Sequence, residues 1–178
     1  FFINTSGGIN MASDPTNKNF LGQTGFRLVL DRTPTMNYFS QSASLPGISL
    51  GTTTLVNPLL DYPLPGEKLT FSPFNISFRV DEDMKNYIEI YNWLVGLGAP
   101  SSTNQYRNFE VNSRNQSNLS DATLSILSSK YNPNLRIKFE KMFPESISEL
   151  LFVTTASDID YLEATVTFRY SLYTIQAL

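Results

Sequence analysis

Two groups of acidic residues are the places where this sequence could hold a metal ion. Asp81, Glu82 and Asp83 are consecutive, and Asp158 and Asp160 lie two positions apart. Carboxylates two apart on an extended chain can share a cation, but Ca²⁺ needs about six or more oxygen ligands, and no calcium-loop pattern surrounds either group. We therefore interpret the first group as the capped start of a helix and the second as a turn. The sequence predicts no metal site and no cofactor.

The composition also lacks the residues that most often carry catalysis. The chain has no histidine and no cysteine, so the commonest general base and any thiol nucleophile are missing. It contains no phosphate-binding glycine loop, no Gly-x-Ser-x-Gly elbow and no metalloprotease motif. We therefore predict that the protein is not an enzyme.

Charge and hydropathy indicate which partners to expect. The net charge of −3 and the lack of a basic run disfavour a nucleic-acid-binding domain. Only 16% of residues are charged, against about 25% in ordinary soluble domains, and a neutral polar surface costs less to desolvate. This favours extensive subunit contacts, with a weakly charged monomer as the alternative. Neither a bilayer-spanning stretch nor a signal-peptide pattern is present, which predicts a soluble, cytosol-made protein without membrane insertion.

The elements that would position any site are mostly strands. Residues 1–23 are rich in Gly, Asn, Ser and Thr without a period and are predicted to form an N-terminal arm, followed by one domain over 24–178. Apolar residues alternate with polar ones in several segments, as in half-buried strands. These segments are Thr24–Asp31, Met36–Ser44, Lys68–Val80 with a break at Ser72-Pro73, Asp121–Ser129, a strand after Pro133 that Met142–Glu145 interrupts, and one long strand over Leu162–Leu172.

Residues 48–66 form a segment of their own kind. Prolines 58, 63 and 65 follow a run of β-branched residues, and a central strand would not tolerate those prolines. We expect a long hairpin or projecting loop whose tip reaches away from the domain.

One helix is predicted over residues 82–97. An apolar stripe recurs at spacings of three and four, with a second apolar side beside it, so the helix is expected to have two neighbours. The stripe consists of Met84, Tyr87, Ile88, Tyr91, Leu94 and Val95, and the second side of Ile90, Trp93 and Leu97. Residues 99–120 are predicted to be a long surface loop, which is usually functional or ordered by partners.

The order of these landmarks resembles the tail tube proteins of contractile-tailed phages, a family related to the tubes of type VI secretion and pyocins. The resemblance covers residues 24–173. It rests on the N-terminal strand followed by four short runs, which are Ala43-Ser44-Leu45-Pro46-Gly47, Pro65-Gly66-Glu67-Lys68-Leu69-Thr70-Phe71, Tyr91-Asn92-Trp93-Leu94, and Phe143-Pro144-Glu145-Ser146-Ile147-Ser148-Glu149-Leu150 before the last strand.

This resemblance implies a mainly β (α+β) fold, an antiparallel β-barrel or sandwich with one flanking helix. It further implies homo-oligomeric, hexameric rings, stacked on like or related rings, whose inner sheets close into a channel with DNA as transient, non-specific cargo. Sheath and baseplate proteins are the implied partners, and the implied location is the virion tail, assembled in the host cytoplasm. Ring closure would also remove the exposed edges of β-sheets.

The resemblance also assigns candidate contact residues. Inter-ring contacts are expected from the projecting segment, at Ile48, Leu50, Thr53, Leu55, Val56, Leu59 and Tyr62. Inter-subunit or helix packing is expected at Tyr87, Ile90, Tyr91, Trp93 and Leu94. The lumen-facing candidates are Thr165, Thr167 and Arg169.

Two other interpretations stay open from the sequence. The long arm and the 99–120 loop leave room for a baseplate tube initiator or a hub ring of the same fold. A different class is a glycan- or host-surface-binding β-sandwich, in which Trp93 and the tyrosines would line the binding face.

Overall fold

Alternating apolar residues build most of this fold. The computed structural model describes residues 20–23, 25–98, 118–154 and 160–178. Their elements, in chain order, are β1 (Phe26–Leu30), α1 (Pro34–Phe39), β2 (Ser40–Ala43), β3 (Ile48–Leu55), β4 (Tyr62–Phe71), β5 (Phe74–Arg79), α2 (Lys85–Gly98), β6 (Ser120–Leu127), β7 (Pro133–Ile147), β8 (Glu163–Arg169) and β9 (Leu172–Ala177).

Two antiparallel layers share the long strand β7. Its first part pairs with β6 and β9, and β6 pairs with β1. Its last part pairs with β8, which continues through β5 to β2. Lys141 stands near the crossover with a positive φ of 53°, a conformation that L residues seldom adopt. The predicted interruption at Met142–Glu145 is therefore wrong as a strand end, because β7 continues through it and changes partners there.

The two layers enclose one apolar core. Phe74 from one layer stacks on Phe139 from the other, with ring centroids 4.5 Å apart. Buried residues follow the predicted alternation, for example Ala164, Val166 and Phe168 on β8. Burial of this kind stabilises a fold by about 25 cal/mol for each Å² of apolar surface removed from water. The mainly β, antiparallel fold is confirmed.

The segment after β1 corrects the sequence prediction. Met36–Ser44 was expected to be extended, but Pro34 opens the six-residue helix α1, and only Ser40–Ala43 is a strand. Proline suits the first position of a helix because it has no N–H to leave unpaired. Asn37 then fixes the helix, since its side chain accepts a hydrogen bond from the Leu30 N–H at 2.7 Å. The described residues therefore form two helices, where the sequence predicted one.

Helix α2 begins three residues later than predicted. Asp81 does not cap it; its side chain accepts a hydrogen bond from the Glu82 N–H within a preceding turn. Asn86 organises the start, because it is buried, donates to the Arg79 carbonyl at 2.7 Å and accepts from the Asp81 N–H at 3.2 Å. These bonds tie the helix to the end of β5.

The long final strand is also corrected. The pattern over Leu162–Leu172 predicted one strand, but the chain turns at Tyr170 and Ser171, so β8 ends in one layer and β9 begins in the other. Alternation continues across the turn, which is why periodicity alone misses it. Two shorter strands, β8 and β9, therefore replace the single strand predicted over Leu162–Leu172.

Candidate assembly surfaces

Strands β3 and β4 form a hairpin that extends from the body of the domain, here called the projecting hairpin (Ile48–Phe71). Every residue of β3 is exposed, and β4 is exposed apart from Gly66 and Phe71. At its tip Val56 is 80% exposed and Leu59 94%. A lone two-stranded hairpin is marginally stable in water, and contiguous exposed apolar surface marks interaction sites. The segment predicted to project is thus a hairpin with uncovered apolar side chains.

The hairpin has two apolar patches on opposite faces. Paired residues on antiparallel strands point to the same side, so the pairs Leu55↔Tyr62 and Thr53↔Leu64 form a tip patch. Near the base, Leu50↔Leu69 and Ile48↔Phe71 form a second patch, which alternation places on the other face. A hairpin with apolar patches on both faces can be covered fully only when it lies between neighbours.

A glycine contact lies between the two patches, at an irregularity in the strand pairing. The register shifts between Leu50 and Thr52. A Cβ added to Gly66 would lie 2.5 Å from the Gly51 carbonyl oxygen, whereas one added to Gly51 would meet nothing closer than 3.7 Å. Side chains are therefore tolerated at Gly51 but not at Gly66.

Two tyrosines hold the two ends of the hairpin on the body. Tyr173 donates a hydrogen bond from its hydroxyl to the Pro46 carbonyl at 3.1 Å, just before β3. Tyr170 donates to the Ser72 carbonyl at 2.8 Å, just after β4. Phe71 packs edge-on against both rings, at 6.0 and 5.6 Å. These residues, here called the tyrosine clamp (Tyr170 and Tyr173), sit at the turn between β8 and β9, so the last strands fix the direction of the hairpin. Sequence analysis missed this role, since Tyr170 was predicted as a member of the strand Leu162–Leu172 and Tyr173 lies just beyond that strand.

The clamp predicts a response to alkaline pH. Burial, with a smaller contribution from Tyr173, raises the pKa of Tyr170 from 10.0 to about 12. Because the folded pKa exceeds the unfolded one, no stability is lost below pH ~10, and stability falls as pH rises from about 10 through about 12. We expect one late-ionising tyrosine in the ultraviolet absorbance titration, which Tyr170→Phe removes and which Tyr38→Phe, at an exposed site, retains. A parent curve without that late step contradicts the prediction.

Helix α2 contributes a smaller surface than predicted. Ile90 and Trp93 are buried in the domain's own core, so they pack within the subunit and not between subunits. Tyr87 and Leu94 are half-buried against that core. The exposed members of the predicted stripe are Ile88 and Tyr91, at 45% and 53%. The burial of Trp93, whose Nε1 donates to the Asn118 carbonyl, also removes it from any glycan-binding face.

The outer face of the layer β2, β5, β8 and the end of β7 is polar. Thr165, Thr167 and Arg169, the predicted lumen candidates, lie on this face of β8 beside Asn75 and Ser77 of β5. Ser77 and Thr165 share a hydrogen bond between hydroxyls at 3.0 Å. This face combines hydroxyl groups with charges, and the apolar side chains of β5 and β8 point to the core. Phe143 of β7, which pairs with Arg169, is an exposed apolar residue on this face.

The charges on this face are paired with each other. The Arg169 Nε contacts the Glu145 Oε2 at 2.7 Å, and the hydrogen bond to Glu145 raises the pKa of Arg169. The Arg79 Nε lies 3.8 Å from the Glu163 Oε1. Exposed pairs like these add little stability, but they leave the face nearly neutral.

A further exposed apolar run follows β7 and was not predicted. Leu151, Phe152 and Val153 are consecutive and between 55% and 75% exposed. Consecutive exposed apolar residues are unusual outside interaction sites, and that signal was present in the sequence. The run is a candidate contact surface.

The acidic groups do not assemble into a site. Asp81–Asp83 occupy a turn in which Asp83 pairs with Lys85, and that bond lowers the pKa of Asp83. Asp160 accepts a hydrogen bond from the Tyr161 N–H, while Asp158 and most of the predicted 99–120 loop lie outside the described residues. Across the described part of the chain, no group of three or more acidic side chains could hold a metal, and no helix has the length and apolarity to cross a membrane.

Comparison with known proteins finds a matching family and a relative. The sequence profile described as "Phage tail tube protein" matches residues 9–176. The tail tube terminator protein of Enterobacteria phage T4 is 28% identical over 165 residues, covering 89% of this chain and 90% of that protein.

Two solved structures of tube-terminating proteins have a similar fold. The tube-terminating cap of the anti-feeding prophage matches with a TM-score of 0.56 at 16% identity, covering 96% of this chain and 99% of that one. The sheath/tube terminator of an extracellular contractile injection system, PVC, in its extended state, matches with a TM-score of 0.53 at 17% identity, covering 90% and 99%.

Proposed function

Because this chain belongs to the phage tail tube protein family, we propose that it is a structural subunit that forms stacked, hexameric rings around a channel for DNA. It works as part of the virion tail and has no enzymatic activity. The observation that carries this proposal is the projecting hairpin, whose large apolar side chains other than Phe71 are exposed in a single subunit. Stacking places that hairpin between neighbouring subunits or rings, where both patches are buried.

The polar layer face supplies the channel wall. A lining with unpaired basic residues would bind phosphates and slow the passage of DNA. The face carrying Thr165, Thr167 and Arg169 offers hydroxyls and internally paired charges instead. We propose that this face points to the lumen, with DNA as transient cargo.

Within the tail, the similarity to tube terminators favours a ring at the end of the tube over the repeating subunit. The tail tube terminator protein of phage T4 aligns with this chain over 90% of its own length. A terminating ring needs one face that stacks and one that does not. Sheath and baseplate components, which accompany the tube in the similar assemblies, are the proposed neighbours.

Negative-stain electron microscopy of the purified protein tests this proposal. We expect six-fold rings, single or in short stacks, once the protein concentration is high enough for subunits to associate and cover the hairpin patches. Long tubes under the same conditions would assign the chain to the repeating subunit instead of the terminator. A monomer that persists at high concentration would contradict both roles.

A further inference from the structure

The outer face of the layer β1, β6, β7 and β9 differs from the lumen candidate face because its charges are sorted along the strands. Strand register places side chains in rows that cross the layer. The first row runs Arg27↔Ser125↔Arg136↔Gln176. Along the strand direction, the charge of the following rows changes from positive to negative.

The second row carries Lys138 beside Thr123, and the third is acidic. The Lys138 Nζ lies 3.6 Å from the Asp121 Oδ2, which belongs to the third row. Alternation along β7 puts Glu140 in that third row as well. Asp31, just after β1, joins it because its backbone N–H donates to the Asp121 carbonyl at 3.4 Å. One end of this face is therefore basic and the other acidic.

The basic end is concave. A depression of about 700 Å³ has Arg27, Arg136 and Lys138 in its lining, with Ser125 between the two arginines and Gln176 beyond Arg136. The rest of the lining is Thr123 and the apolar or aromatic residues Val29, Leu127, Tyr131 and Pro133. The acidic third row lies outside it. Among the described residues, Arg27 and Arg136 form no ion pair. One strand, β6, lies between β1 and β7, so the backbones of Arg27 and Arg136 stand two strand spacings, about 10 Å, apart.

We propose that this basic depression binds a short acidic polypeptide segment of a partner protein on the outside of the ring. Guanidinium groups recognise carboxylates through paired hydrogen bonds. The hydroxyl and amide groups in the lining of the depression can form hydrogen bonds to a peptide backbone. The outward direction of the face rests on the proposed function, because it lies opposite the layer assigned to the lumen. The binding itself requires only this subunit.

The acidic row favours a short peptide over a nucleic acid. Rows two residues apart are separated by about 6.6 Å. An acidic segment that runs along the strands from Arg27 and Arg136 therefore extends for only a few residues before it reaches Asp31 and Glu140. A DNA duplex carries a charge about every 1.7 Å along its axis and would meet those carboxylates. The same row sets the direction in which an acidic segment can lie.

Fluorescence anisotropy tests the proposal with a labelled peptide of alternating glutamate and serine, against a labelled DNA duplex of matched length. We expect the peptide to bind more tightly than the duplex, in a salt-sensitive manner. The double variant Arg27→Gln, Arg136→Gln should weaken peptide binding about tenfold or more. The matched control is Arg79→Gln, which removes an exposed arginine from the opposite layer and should change binding less than about twofold.

A second variant tests the role of the acidic row. Asp31→Asn with Glu140→Gln should tighten binding of the duplex more than that of the peptide, since only the duplex reaches those carboxylates. Equal peptide binding by the parent and the double arginine variant, no binding by the parent, or tighter binding of the duplex by the parent overturns the proposal. Microscopy of the same samples separates this result from ring formation, because the arginine variant should still form rings.

Discussion

The triple variant Leu55→Ser, Tyr62→Ser, Leu64→Ser is expected to abolish ring assembly while leaving the subunit folded. These three side chains form the tip patch of the projecting hairpin and are exposed in the single subunit, so their replacement removes no core contact. If assembly buries them, each contributes about 1.5 kcal/mol or more, and their loss weakens each contact about a thousandfold. Analytical ultracentrifugation across a concentration series measures the change.

Matched variants separate contact loss from general damage. Tyr131→Asn removes an aromatic side chain that is 72% exposed outside the hairpin and should leave assembly unchanged. Gly66→Ala should weaken assembly by displacing the strands from the Gly51 carbonyl, whereas Gly51→Ala should have little effect. Rings formed equally well by the triple serine variant would show that the hairpin is not the contact.

Phe139→Ala is expected to cause the largest loss of subunit stability. The ring of Phe139 is fully buried, stacks on Phe74 and touches both tyrosines of the clamp. Removing a buried Phe costs about 3–5 kcal/mol, a large share of the roughly 5–15 kcal/mol that stabilises a domain. Urea unfolding followed by the fluorescence of Trp93, the single tryptophan, measures this loss in dilute, unassembled protein.

The same strand supplies the control for that measurement. Phe143 lies on β7 with 36% of its surface exposed, so Phe143→Ala should cost less than about half as much as Phe139→Ala. A similar loss from both variants would mean that the packing around Phe74 and Phe139 does not dominate the core.

The sequence predicts the strands of this fold well wherever one side is buried. Phe26 to Leu30 and Phe74 to Val80 alternate clearly, and the break at Ser72-Pro73 follows from a change in which positions are apolar. The hairpin was predicted from its prolines, which fit strands that lack central neighbours. These patterns are local, and local chemistry decides them.

The errors occur where distant contacts decide the conformation. Helix α2 was predicted to have two apolar sides, but the sequence did not show which side faces the core. The helix turns Asn86 and Trp93 inward and leaves Ile88 and Tyr91 exposed, and Asn86 bonds to the Arg79 carbonyl. The turn at Tyr170 and Ser171 leaves the alternation intact, since both layers share one core. Neither effect has a signal within a window of a few residues.

The assembly surfaces were predictable in part for the same reason. Exposed apolar residues at the hairpin follow from composition and prolines, whereas the tyrosine clamp requires Pro46, Ser72 and the β8–β9 turn to meet in space. The charge rows on the β1, β6, β7 and β9 face likewise depend on register across four strands. Strand partners are not visible in a single sequence.

Strand β7 has a mechanical consequence. Because this fifteen-residue strand runs from one layer into the other, a force that shears one layer past the other acts along a covalent backbone as well as on side-chain contacts. Sliding the layers would require the hydrogen-bond ladders on β7 to break together, which is far harder than breaking them one at a time. A ring made of such subunits would transmit an axial load stiffly, and its deformation would be confined to the interfaces between subunits.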